Sequence, residues 1–165
     1  MTDTNLNIHM LVVEDDASTA KYLMSLFQRY SGSIPITYEF VGSIRAAEER
    51  LSDQSLQAID VTVLDLMLPN GSGLVSLMRV VAAAARIPVV VLTGDDSDQT
   101  EIDVISHGAQ DHMRKRGLTI ATIGSFVTMC YHAIIRHRSD QKWARLQQCL
   151  EEVKTTTAEI VATKK

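Results

Sequence analysis

The chain has 165 residues, of which 45% are hydrophobic and 22% are charged, and its formal net charge is −4. This length suits one domain of ordinary size with a short appendage, and the composition is that of a globular protein with a buried core. The negative net charge argues against a general affinity for nucleic acid, which relies on basic surface. We therefore expect no direct contact with nucleic acid.

The N-terminal residues 1–9, "MTDTNLNIH", lack the basic start and apolar core of a signal peptide. No apolar run approaches the roughly 20 residues that a membrane-spanning helix needs. We therefore expect a cytoplasmic protein without a membrane segment. The two cysteines, Cys130 and Cys149, form no CxxC pair, so the sequence predicts neither a zinc knuckle nor a disulfide framework, and we expect both to be buried.

Short apolar runs, typical of buried strands, recur along the chain and alternate with helical patterns. In chain order these runs are 8–13, 36–41, 59–64, 88–93 and 111–113. The apolar helical faces between and after them are formed by Tyr22, Leu23, Leu26, Phe27 and Tyr30, by Leu74, Leu77, Met78 and Val81, and by Ile120, Ile123 and Val127. Alternation of strand and helix with short loops predicts an α/β fold, a doubly wound five-stranded parallel sheet with helices on both faces.

Polar and glycine residues mark where these helices should begin and end. Ser18, Ser43 and either Ser97 or Asp98 precede or open helical patterns and can cap free backbone N–H groups. Gly32 and Gly108 stand where two helices should stop.

Charged and hydroxyl side chains follow the ends of four predicted strands. Glu14 and Asp15 end the first strand, Asp65 the third and Thr93 the fourth, while the fifth leads to Lys115. Because ligands of open parallel sheets sit beyond the carboxyl ends of the strands, we expect these side chains to converge at one edge.

Three converging carboxylates repel one another unless a cation lies between them, so the sequence predicts a metal site. Oxygen ligands without clustered His or Cys favour Mg²⁺, with Mn²⁺ as a second candidate. Asp65 could then act as a nucleophile, with Lys115 and Thr93 stabilising charge on a phosphoryl group.

Four stretches in this order and spacing resemble the receiver domain of bacterial two-component response regulators: "VVEDD", "DLMLPNGSG", "VVVLTGDD" and "GAQDHMRK". The resemblance covers residues 8–138 and implies a flavodoxin-like fold. It implies that Asp65 accepts a phosphoryl group from a phosphohistidine on a sensor histidine kinase or a phosphotransfer protein. The domain would then be a signalling module that catalyses only its own phosphorylation and dephosphorylation.

The same resemblance implies a role for each site residue. Asp15 and Asp65 would bind Mg²⁺ directly, Glu14 through water and Met67 through its backbone carbonyl. Thr93 would move to bond the phosphoryl group, and Lys115 would pair with it. Met67 and Asp95 match the variable positions that set the phosphoryl lifetime.

Two positions depart from the family pattern. His112 stands where the family has Tyr or Phe, the ring that turns inward when the threonine moves, and a histidine there adds sensitivity to pH. Arg116 stands where a proline commonly follows the lysine, often after a cis peptide. Without proline the cis form of this peptide bond costs about 3 kcal/mol, so either the bond is trans or the fold bears that strain.

Three alternatives stay open at this stage. A degenerate receiver would bind partners without phosphorylation, although the acids are intact. A haloacid-dehalogenase-like phosphatase also uses a strand-end Asp and Mg²⁺, but it needs a second Asp where this chain has Met67. A flavodoxin-like FMN binder would suffer repulsion of the phosphate by Glu14 and Asp15.

Beyond the receiver the sequence predicts a helical extension, so we expect a flexible N-terminus over 1–7, the receiver over 8–138 and the extension over 139–165. Residues of the extension recur at spacings of three and four, as do those that form the contact line, or seam, of a coiled coil. Arg136 and Ser139 interrupt this seam where it should join the receiver. Its members are Trp143, Leu146, Leu150, Val153, Thr157 and Ile160. We expect a parallel homodimer through this helix; a helix folded back on its receiver and a linker to a further domain are the alternatives.

Overall fold

The computed structural model describes residues 7–53, 55–68, 73–94 and 98–163, with the side chains of 98–100 and 157–163 outside the description. Strands and helices alternate through this chain. The five strands are β1 (Ile8–Val13), β2 (Ile36–Val41), β3 (Val61–Asp65), β4 (Val89–Thr93) and β5 (Asp111–Arg114). They form one parallel sheet in the order β2-β1-β3-β4-β5, which confirms the predicted doubly wound, flavodoxin-like architecture.

Helices cover both faces of the sheet and divide the core into two layers. Their bounds are α1 (Ala17–Arg29), α2 (Ile44–Ser52), α3 (Gly73–Ala84), α4 (Asp98–Ser106) and α5 (Ile123–Thr163), with a short 3₁₀ turn at Lys115–Gly117. On one face α1 and α5 bury Phe27 and Phe126 against the sheet. On the other face α2, α3 and α4 bury Ala47, Leu77 and Val104. The central strands β1, β3 and β4 are buried along their whole length, as strands covered on both faces must be.

The helix ends agree with the sequence at two positions and differ at another. Ser43 caps α2, since its hydroxyl accepts a hydrogen bond from the Ala46 N–H. Gly108 follows α4 with a φ of +100°, a backbone conformation that suits glycine. The prediction for Ser18 is wrong, because Ser18 lies inside α1 and Asp16 is the cap. Ser97 lies outside the described residues.

The last helix extends well past the sheet and is tied to it by ion pairs. Arg136 donates to Asp111 at 2.7 Å, and Arg138 donates to Asp60 at 2.9 Å. From residue 142 to residue 156 every side chain is exposed, so this part of the helix does not pack on its own receiver. The fold-back alternative is therefore wrong for the described part of the extension.

The two cysteines occupy different environments. Cys130 is buried in α5, as expected, whereas Cys149 is exposed on the extension, where that expectation is wrong. Among the described residues, no helix is both long enough and apolar enough to span a membrane.

Candidate functional site

The register of the sheet places the predicted site residues side by side. Val13 of β1 pairs with Leu64 of β3, so the residues that follow them, Glu14 and Asp65, are neighbours. Thr93 of β4 pairs with Arg114 of β5, which puts Lys115 one residue beyond the pair. The carboxyl edge of the sheet therefore brings the acids, the threonine and the lysine together.

The Lys115 ammonium bridges two of the carboxylates. Its Nζ lies 2.6 Å from Asp65 Oδ2 and 2.7 Å from Glu14 Oε2. The other oxygen of Asp65 accepts a hydrogen bond from the Met67 N–H at 3.0 Å, and the other oxygen of Glu14 accepts one from the Asp16 N–H at 3.2 Å. Asp65 is thus oriented through both of its oxygens, one by a charge and one by the backbone.

Burial and ion pairing shift the pKa values of this cluster in opposite directions. Burial raises the pKa of the Glu14 carboxyl, and repulsion from Asp65 adds to this, while the hydrogen bond from Lys115 opposes it. For Lys115, burial alone would lower the pKa, but the hydrogen bonds to Asp65 and Glu14 outweigh it and the pKa is raised. Lys115 is therefore held as a cation.

A divalent cation fits the acidic cluster. Glu14, Asp15 and Asp65 each offer a carboxylate oxygen, and these oxygens all lie within 4.8 Å of one another. Glu14 and Asp65 are buried, whereas Asp15 is exposed and open to solvent. Lys115 compensates one of the three acids, which leaves the two negative charges that a divalent ion neutralises. Oxygen-only donors with an open side suit Mg²⁺, which retains several waters.

The switch candidates lie on neighbouring strands. Thr93 is buried at the end of β4. His112 lies on β5, and its Nε2 is 3.5 Å from Glu101 Oε2 of α4, a neighbour that the sequence pattern did not indicate. The peptide between Lys115 and Arg116 is trans, because the described residues contain no cis peptide bond.

The two positions proposed to set the phosphoryl lifetime are only partly described. The side chain of Met67 is 69% exposed beside the acidic cluster. Its backbone N–H is the group that bonds Asp65. Asp95 lies outside the described residues.

Asp16 is a structural residue of the site that the sequence reading missed. Its Oδ1 accepts a hydrogen bond from the Thr19 N–H at 2.6 Å and caps α1, and this bond lowers the pKa of Asp16. Its own N–H holds Glu14. The sequence carried the signal for this cap, because Asp caps helices as well as Ser does.

Comparison with known proteins agrees with this geometry. A family model described as the response regulator receiver domain matches residues 10–121. The swarming motility regulation protein RssB of Serratia marcescens is 32% identical over 108 residues, which are 66% of this chain and 46% of that protein. The transcriptional regulatory protein ZraR of Escherichia coli strain K12 is 28% identical over 112 residues, 68% of this chain and 24% of that protein. The chain thus spans less than half the length of these relatives.

Solved structures share the fold. The signal receiver domain of an HD domain-containing protein from Pseudomonas fluorescens Pf-5 superposes with a TM-score of 0.65 at 18% identity, covering 86% of this chain and 96% of that one. The Mn²⁺-bound form of response regulator Rcp1 superposes with a TM-score of 0.55 at 22% identity, covering 65% of this chain and 80% of that one. These structures show the fold, and the family match over most of the chain establishes that the chain belongs to the response regulator receiver domain family.

Proposed function

We propose that this receiver acts as a phosphorylation switch in which Asp65 accepts the phosphoryl group from a phosphohistidine of a sensor histidine kinase or a phosphotransfer protein. The observation that carries this proposal is the bridging of Asp65 Oδ2 and Glu14 Oε2 by Lys115, at 2.6 and 2.7 Å, at the edge of the sheet. A buried carboxylate oriented in this way, beside an exposed acid, is a positioned nucleophile. Phosphorylation of the Asp65→Asn variant tests the proposal directly.

Each residue of the site would have its own role in phosphoryl transfer. An oxygen of Asp65 attacks phosphorus, a P–O bond forms, and the P–N bond to the donor imidazole breaks with its electrons leaving on nitrogen. Lys115 supplies positive charge to the phosphoryl oxygens, where phosphoryl transfer needs it. Asp15 and Asp65 would hold Mg²⁺ directly and Glu14 through water, with the Met67 carbonyl as a further ligand. When bound, the ion neutralises the acids and the incoming phosphoryl group. Mn²⁺ would serve the same donor set.

The response to phosphorylation would run from Thr93 to His112. The Thr93 hydroxyl would bond the phosphoryl group, and the movement would open space toward β5. His112 would rotate into that space and exchange its contact with Glu101 of α4 for a more buried position.

Mg²⁺ should stabilise the folded protein, because the ion binds the native cluster and not the unfolded chain. A ligand at about 100 times its dissociation constant contributes about 2.7 kcal/mol of stability. We expect the melting temperature to rise on titration with Mg²⁺, and the rise to disappear in Asp15→Asn. Asp53→Asn, at an exposed loop position, is the control and should respond like the parent protein. An equal rise in Asp15→Asn would contradict the metal site.

In the metal-free protein, the contribution of this cluster to stability should fall as pH rises. Because the folded state raises the pKa of Glu14, it binds more protons than the unfolded chain. That contribution to stability is complete below the ordinary pKa of 4.5 and is lost as pH rises through the raised value. We expect the Glu14→Gln variant to lack this loss when unfolding is followed by denaturant titration at successive pH values. A loss of the same size in Glu14→Gln would assign it to another group.

The phosphoryl lifetime should depend on Met67 and Asp95. The exposed thioether of Met67 offers no hydrogen bond to water that attacks the acyl phosphate. We expect Met67→Asn to shorten the lifetime, because the amide can orient that water, and a second change at Asp95 to alter it further. Loss of label after removal of the donor measures the rate. An unchanged rate in the double variant would exclude both positions.

We propose further that the chain forms a parallel homodimer through the extension of α5. Four seam residues with described side chains, Trp143, Leu146, Leu150 and Val153, are between 46% and 66% exposed. They recur at spacings of three and four, which places them on one line along the helix. An apolar line of this kind is unfavourable in water and favours burial against a second helix.

A further inference from the structure

A small pocket lies at the start of α2, beyond the carboxyl ends of β2 and β3. Its volume is about 140 Å³. The turn at 42–45 lines it from one side, Ser76 and Arg79 of α3 line it from another, and Leu68 completes the wall that the described residues form. We call this cavity the α2 pocket. None of these residues belongs to the acidic cluster, so phosphoryl transfer at Asp65 gives the pocket no role.

The first turn of α2 offers backbone donors to the α2 pocket. The first N–H groups of a helix have no acceptor within the helix. The Ser43 hydroxyl oxygen satisfies one of them, because it accepts a hydrogen bond from the Ala46 N–H at 3.1 Å. Ile44 and Arg45 line the pocket, and their N–H groups have no such acceptor among the described residues. The first turn contains no acidic side chain, so this end of the helix favours an anion.

Two guanidinium groups beside the α2 pocket are held in place and keep donors to spare. Arg79 donates to Glu48 through Nε and Nη2, at 2.9 and 2.7 Å. Arg45 donates to Glu49 through Nε at 2.8 Å. These bonds use only some of the N–H groups that a guanidinium carries. The remaining N–H groups suit oxygen atoms of a phosphate or carboxylate group.

Ser76 is the residue that points to a bound ligand. It lies in α3, lines the α2 pocket and is only 3% exposed. Within the part of the chain that the structure describes, its hydroxyl makes no hydrogen bond. A buried hydroxyl without a partner is unfavourable, and native proteins pair such groups with protein, water or ligand atoms. A group bound in the pocket would accept the hydrogen bond that Ser76 can donate.

The size of the α2 pocket and its polar groups favour a phosphate group. The backbone N–H groups of α2, the guanidinium groups and the Ser76 hydroxyl can all donate, and no carboxylate lines the described wall. These donors belong to two helices, so they would approach a ligand from different sides. The tetrahedral oxygens of phosphate can accept from several sides at once, whereas the two oxygens of a carboxylate lie in one plane. The volume is below the roughly 300 Å³ at which pockets begin to enclose drug-sized ligands, so it suits one phosphate group.

We propose that the α2 pocket binds a phosphate group, either free inorganic phosphate or the phosphate of a small monoester. Ser76, Arg79 and the N–H groups of Ile44 and Arg45 donate to its oxygens. The site needs neither Asp65 nor Mg²⁺, so it stands or falls independently of the phosphorylation switch proposed above.

Titration of the metal-free full chain with inorganic phosphate tests this site. Without Mg²⁺ the three carboxylates of the acidic cluster repel an anion, so the response reports the α2 pocket. Amide resonances are followed by ¹H–¹⁵N NMR at constant ionic strength. We expect those of Ile44, Arg45 and Ser76 to shift and to saturate at millimolar phosphate. Absence of saturation there, or shifts confined to the surroundings of Lys115, would overturn the proposal.

Two further probes identify the chemistry of the ligand. Glycerol phosphate tests a phosphate monoester, and acetate tests a carboxylate. Tighter binding of the ester than of inorganic phosphate would assign an organic phosphate as the ligand, and the reverse order would assign the free ion. Acetate should bind more weakly than both. Equal binding of acetate would overturn the assignment to phosphate.

The Ser76→Ala variant removes the donor without breaking a described hydrogen bond, so it should fold like the parent protein. A hydrogen bond to a charged group contributes on the order of 1.4 kcal/mol, so the dissociation constant for phosphate should rise about tenfold. The Arg79→Gln variant should weaken binding as well. Ser125→Ala and Arg86→Gln make the same changes at exposed positions and should bind like the parent protein. Unchanged affinity in Ser76→Ala and Arg79→Gln, or an equal loss in the controls, would overturn the site.

Discussion

The Asp65→Asn variant will not be labelled when the protein is incubated with a small-molecule phosphodonor and Mg²⁺, whereas the parent chain will gain one phosphoryl group. Asparagine keeps the size of the side chain and an oxygen that can accept the Met67 N–H bond. It loses the negative charge that contacts Lys115 and that would bind Mg²⁺, and its neutral amide is a poor nucleophile. Mass spectrometry of the intact protein measures the added phosphoryl group.

Two controls separate loss of the acceptor from damage to the fold. Asp53→Asn removes an exposed carboxylate whose oxygen accepts from Ser55, and it should be labelled as well as the parent protein. Removal of Mg²⁺ with a chelator should reduce labelling of the parent to background. Persistent labelling of Asp65→Asn would assign the acceptor to another residue, and labelling that persists in the presence of the chelator would contradict the dependence on Mg²⁺.

The Lys115→Ala variant should separate the contribution of the Lys115 cation to phosphorylation from that of Mg²⁺. The variant retains the three carboxylates, so it should still bind Mg²⁺, but it loses the cation that contacts Asp65 Oδ2 and Glu14 Oε2. Its labelling should therefore be slower than that of the parent at the same Mg²⁺ concentration.

The sheet and the convergence of the site were predictable because both depend on local pattern. Apolar runs identify buried strands, and a parallel sheet brings the carboxyl ends of its strands to one edge regardless of the conformation of the loops. Even β5, with the polar sequence Asp111–Arg114, occupies its expected place, because an edge strand need not be buried throughout. Knowing that Asp65 ends β3 and Lys115 follows β5 was enough to place them together.

Contacts between side chains were not predictable to the same degree. Lys115 could have paired with any of three acids, and only the geometry shows that it bridges Glu14 and Asp65. Glu101 is exposed on α4 and gives no sign in the sequence that it approaches His112. Ser18 and Asp16 have similar capping strength, so propensity alone could not choose between them.

The course of α5 shows what a periodic pattern leaves open. The seam indicated an apolar line but not whether that line would face the receiver or solvent. The answer depends on which face Phe126 and Ile134 bury, and on the ion pairs from Arg136 and Arg138 that tie the helix to the sheet. Arg136 looked like an interruption of the seam because its partner, Asp111, lies 25 residues away.

Replacing Leu146 and Leu150 by lysine should convert the full chain from a dimer to a monomer. Both side chains are largely exposed in the single chain, so the variant should fold normally. In the dimer each buried leucine contributes about 1.5 to 3 kcal/mol, and lysines would add repulsion at two layers of the seam. At about 1.4 kcal/mol per factor of ten, the dissociation constant should rise by at least about 100-fold. Analytical ultracentrifugation at tens of micromolar measures this change.

The matched control places the same two charges on the opposite side of the helix. In the heptad that places Trp143 and Leu150 at a positions, Ala144 and Gln148 occupy b and f positions, which point away from the seam. The Ala144→Lys, Gln148→Lys variant should therefore remain a dimer. A chain ending at Arg138 should be a monomer, because it lacks the whole extension that carries the seam. If the parent chain is itself a monomer at these concentrations, the homodimer fails, and the exposed apolar line of α5 requires a different partner. If the seam variant and its control dissociate alike, added charge and not the loss of the leucines is the cause.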